Sequence, residues 1–180
     1  MSSSFAVRSA LALLVAAPLV TPLAAVTPIT PQKTGGDVRV NGKPLPIAHA
    51  YLFHAPDAWE EKQINSVVVL TGQPLDEAKL KTAKTLTQAL QAAPERIVVE
   101  VRPDQRAGLS ICHPEFGDGL CYSTTVSGPD EWKSEPAAAG HVGGHVRIFA
   151  GREDTVLDKY KLFYDFTFDA APVADFARRR

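Results

Sequence analysis

Cys112 and Cys121 are the two cysteines of the chain, with eight residues between them in SICHPEFGDGLCYS, around Gly117 and Gly119. Three chemistries use such a pair: a staple, a redox couple, or half of a metal site. A redox couple is typically two residues apart at a helix start, where the helix dipole lowers a thiol pKa, and neither feature is present here. In an oxidising compartment two cysteines at this spacing join, so a structural disulfide is the expectation, with redox use, metal ligation or free thiols as alternatives. The histidines are His49, His54, His113, His141 and His145. His141 and His145 lie four apart in GHVGGHV, a spacing that would share one face of a helix, but the three glycines disfavour a helix. The segment reads as a glycine-rich turn, with solvent-facing histidines, leading into a strand over residues 145–150. The alternative is a metal site in which both imidazoles turn to one ion and His113 joins them. His49 and His54 read as surface or half-buried positions.

Trp59 and Trp132 sit in APDAWEEK and GPDEWKSE. Each offers an apolar body with one polar handle, so the two form a candidate binding surface, with lids over the end of the core as the plainer reading. Hydrolytic chemistry has no motif behind it: there is no Gly-x-Ser-x-Gly elbow, no phosphate loop with lysine and no His-Glu-x-x-His. The adjacent acidic pairs Glu60-Glu61, Asp76-Glu77 and Asp130-Glu131 read as solvated surface. A copper electron-transfer site is disfavoured because the chain has no methionine after Met1 and its cysteines are expected to be paired.

The compartment follows from the N-terminal residues. Arg8, an apolar run from Ala10 to Val20 and small residues at Ala24 and Ala25 make residues 1–25 a secretory signal peptide. The run is broken by Pro18 and Pro22 and is shorter than the roughly 20 residues a membrane span needs. The expected mature protein is soluble, periplasmic or extracellular, and of one-domain size. A net charge of −1 gives no basic field to gather nucleic acid, and Arg178-Arg179-Arg180 reads as a frayed end.

The elements that must position these residues are mostly strands. Residues 26–36, with Pro28, Pro31 and a Gly pair, read as a flexible leader. The fold is expected over residues 37–170, with 171–180 a tail. DVRVNGKPLPIAHAYLF reads as a hairpin about Asn41-Gly42, its second arm ending at Phe53 and bearing edge prolines. SVVVLT (66–71) suits a strand buried on both faces. Leu80, Ala83, Leu86 and Leu90 give a helical period over 76–92, capped by Asp76, stapled by Leu75, and weakened by Thr82, Thr85 and Thr87 enough to split it. Ile97, Val99 and Val101 share a strand face, GLSIC pairs back on it, and Tyr160, Leu162, Tyr164, Phe166 and Phe168 line one side of the last long strand. Hairpin succession without alternating helices gives a mainly β fold, an antiparallel immunoglobulin-like sandwich with a short helical insertion.

The stretches GGDVRVNGKPLPIAHAYLFHAPD, VVVLTGQPLD and DFTFDAAPVADF resemble a group of small exported bacterial domains with no assigned activity. That resemblance implies a fold and transfers no catalytic residue. The function expected is a non-enzymatic binding or accessory role in the bacterial envelope, toward a protein or small ligand and without a cofactor. A periplasmic metal-binding protein is the second reading and an enzyme the third.

Overall fold

The computed structural model describes residues 34–57, 60 and 62–178. The segment expected to be a signal peptide, most of the expected leader, Trp59, Arg179 and Arg180 lie outside the described residues. In chain order the elements are β1 (Thr34–Val40), β2 (Lys43–Pro44), β3 (His49–Pro56), β4 (Ile64–Thr71), α1 (Glu77–Thr82), α2 (Leu86–Leu90), β5 (Arg96–Val101), β6 (Ala107–Cys112), β7 (Cys121–Val126), β8 (Trp132–Glu135), β9 (Val142–Arg147), β10 (Asp154–Val156), β11 (Tyr160–Ala170) and β12 (Pro172–Asp175). One sheet has the order β2-β1-β11-β9-β8, with β10 also on β11, and the other has β12-β3-β4-β5-β6-β7. All pairings are antiparallel except β12 on β3. The five-strand meander from β3 to β7 differs from the Greek-key succession of an immunoglobulin layout, so the architecture is two packed, largely antiparallel sheets with two short helices.

The core between the sheets follows from period-two burial. On β11, Leu162, Tyr164, Phe166 and Phe168 are buried and meet Leu52, Val68, Leu70, Ile97, Val99 and Ile111 from the facing sheet. Strand β4 is buried on both faces, as its apolar run requires. Val68 and Leu70 enter this core, whereas Val67 and Val69 enter a second one with Tyr51, Phe53, Leu80 and Ala89 beneath the helices. The helical period resolves into two helices for the reason its threonines suggest. Asp76 caps α1 by accepting from the Ala78 and Lys79 amides, Ala83 is extended, and Thr85 caps α2 by accepting from the Gln88 amide. Arg96 Nη1 then donates to the Ala93 carbonyl at 2.7 Å, satisfying an acceptor just past the end of α2.

Two boundaries differ from the sequence reading. Asn41 and Gly42 adopt φ of 52° and 75° and close the expected hairpin, but its second arm is only Lys43–Pro44. Pro44 and Pro46 have no N–H to continue a ladder. The chain therefore crosses to the other sheet, where residues 49–56 pair with β4. At the other end, residues 171–178 are not a tail. The Leu52 amide donates to the Ala171 carbonyl, β12 joins the free edge of β3, and Phe176, 4% exposed, packs on Phe53 with ring centroids 5.7 Å apart.

Candidate functional site

The GHVGGHV segment is strand and not turn: β9 begins at Val142 and both Gly143 and Gly144 lie inside it. Close packing explains the glycines. A Cβ on Gly144 would collide with the indole of Trp132 and the ring of Phe168, and one on Gly143 would meet the Glu135 carbonyl. Val142, Gly144 and Val146 alternate with His141, Gly143 and His145, and the two histidines share the outer face with Asp165 and Asp169 of β11. His145 Nε2 lies 2.6 Å from Asp165 Oδ1, and His141 Nδ1 lies 2.8 Å from Asp169 Oδ1. Each imidazole is thus turned to its own carboxylate, and the flexible loop that would let both face one ion does not exist. His113 is engaged elsewhere. It is buried, and its Nδ1 accepts the Glu115 amide at 3.1 Å to cap the short 3-10 turn Pro114–Phe116. Among the described residues, no group of three or more His, Cys, Asp or Glu side chains is placed to hold a metal ion.

Cys112 and Cys121 form a disulfide between directly opposed residues of β6 and β7, with Cα atoms 4.1 Å apart. It closes the loop that holds Phe116 against Tyr160 and places Glu115 within 2.5 Å of Lys43 Nζ. Trp132 is not an exposed recognition surface. It is 8% exposed, stacks on Phe168, and donates from Nε1 to the Gln105 carbonyl at 3.0 Å, because the glycines opposite make room for an inward indole.

The inward indole closes one side of a cleft of about 350 Å³ where the sheets part, lined by Ile64, Ser66, Arg102, Gln105, Ser134 and His141 among others. A buried polar shelf lies behind Arg102. Asp57, 5% exposed, accepts from the Asn65 amide at 2.8 Å, from the Glu60 backbone at 3.0 Å and from Gln63 at 3.5 Å, while Arg102 Nη2 stands 3.6 Å from Asp57 Oδ2. The Asn65 side chain also donates to Glu100. Gln105 sits at φ 66° without being glycine, held in the turn between β5 and β6 by its own amide on the Arg102 carbonyl and by the Trp132 bond. The chain matches no protein family, no curated protein and no solved structure.

The chemistry of the cleft rests on these side chains. Ser66, Ser134 and the Gln105 amide make no side-chain hydrogen bond to another described residue, nor does His141 Nε2, and the Arg102–Asp57 contact is longer than a hydrogen bond. Polar groups without protein partners at one mouth suit a bound polar molecule or water. Sequence reasoning missed Asp57, Asn65 and Arg102. The signal available was Asn65 itself, a polar residue abutting the apolar run 66–71 at a position that pairing would bury.

Proposed function

We propose that this chain is an exported, non-enzymatic binding protein of the bacterial envelope that holds a small polar molecule in the cleft between its two sheets. The observation that carries the reading is the cleft itself, where Arg102 stands in front of the buried Asp57 and where Ser66, Ser134 and the Gln105 amide make no side-chain hydrogen bond to another described residue. The disulfide supports an exported setting, as does the resemblance of its strand and turn residues to small exported bacterial domains. A metal-binding role for His141 and His145 finds no support in their separate pairing with Asp169 and Asp165.

The test is a thermal-shift screen of the purified protein against a library of small polar metabolites, repeated with Ser134→Trp, which fills the cleft from an exposed position. Hits that stabilise the protein and vanish in the variant, with its unliganded Tm unchanged, are the expected outcome. Hits that persist in Ser134→Trp, or a library without hits, would remove the reading.

A further inference from the structure

We infer that the cleft selects small monocarboxylates bearing a hydroxyl, the carboxylate lying on Arg102 and the hydroxyl on His141; this rests on the binding reading above. Among the described residues Arg102 is the one lysine or arginine lining the cleft, whereas Glu135 is matched by Lys133 at 3.0 Å. Asp57 Oδ2 stands 3.6 Å from Arg102 Nη2 and is already served by Asn65 and Gln63. The guanidinium is therefore held in place while its N–H donors stay unspent, and a carboxylate accepts two of them in parallel.

Local charge sets the class of anion. Asp57 offsets Arg102, and Glu100 shares the Asn65 amide with it, so the site has no surplus of positive charge to hold a phosphate or other polyanion. Recognition by the planar fork of a guanidinium suits a planar monoanion instead. At the rim of the cleft, His141 Nδ1 is engaged by Asp169 at 2.8 Å. Nε2 is left for a ligand, and a hydroxyl, which both donates and accepts, matches it. A volume of about 350 Å³ is at the small end for ligand pockets.

The experiment titrates the purified protein by amide NMR with two matched pairs, gluconate against sorbitol and 4-hydroxybenzoate against 4-hydroxybenzyl alcohol, and with inorganic phosphate. The expected result is saturable shifts at Ser66, Gln105, Ser134 and Val142 with at least one carboxylate, and at least tenfold weaker binding of its neutral partner and of phosphate. Arg102→Lys, which keeps the charge and loses the fork, should weaken that carboxylate at least tenfold, with core amides such as Phe166 unmoved to show that the fold is intact. A neutral partner or phosphate binding as tightly, or Arg102→Lys without effect, overturns the carboxylate inference and leaves the binding reading standing. No shift at the cleft with any probe up to roughly 20 mM, where even millimolar affinity saturates, also overturns the inference. The binding reading is then decided by the metabolite screen and its Ser134→Trp control.

Discussion

Gly144 shows how one residue decides where its neighbours go. Its missing Cβ leaves space that the Trp132 indole and Phe168 ring occupy, and the inward indole forms a wall of the cleft. Gly144→Ala should cost about 1–3 kcal/mol by overpacking. Gly35→Ala, where an added Cβ meets nothing within 4 Å, should be neutral or slightly stabilising. Urea denaturation of both variants checks the contrast, and equal effects would remove the packing explanation for the glycine pair. The sequence displays GHVGGHV as glycines and histidines in quick succession, a composition that reads as a turn. Only the aromatic residues brought opposite by β8 and β11 turn it into a strand, and those contacts are long-range.

At the level of elements, the loop between β6 and β7 is tied down twice. The Cys112–Cys121 bridge closes its base, and Glu115 at its tip meets Lys43 and Asn41 of the first hairpin. Thiol titration of the denatured, unreduced protein should find no free cysteine, and replacing both with serine should cost about 2–3 kcal/mol while leaving the fold in place. Lys43 first, and Asn41 second, hold the Glu115 carboxyl below its ordinary range. A depressed folded pKa gives stability that is fully present above the unfolded value of about 4.3 and is lost as pH falls through the lower folded value. Chemical denaturation from pH 6 to pH 3 should therefore show the wild type losing more stability than Glu115→Gln. Parallel curves would mean that the ion pair contributes nothing. The helices and β11 are legible because their signals are local: a cap at Asp76, threonines that weaken the helical period enough to split it, and alternation from Leu162 to Phe168. The hairpin's second arm was misplaced because prolines forbid pairing on one sheet without saying where the chain goes next.

Over the whole molecule, the sandwich is closed by its own C-terminal residues, which cross from β11 to the edge of β3 and lay Phe176 on Phe53 in the core beneath the helices. Phe176→Ala should cost about 3–5 kcal/mol, measured by urea denaturation, and an effect under about 1 kcal/mol would show that the clasp is dispensable. The sequence conveyed two sheets and a helical insertion, since burial period is written along each strand. It did not convey the cleft, because Arg102 and His141 lie beside strands of different sheets and line it together only where the sheets part, with Asp57 behind Arg102. Soaking crystals of the protein in a cocktail of small polar fragments tests the central claim most directly. The account predicts fragment density between Arg102, Trp132 and His141, with the Asp57 shelf unmoved. Fragments gathering instead in the groove beside α2, lined by Val67, Leu86 and Phe176, with the cleft holding only water, would contradict it.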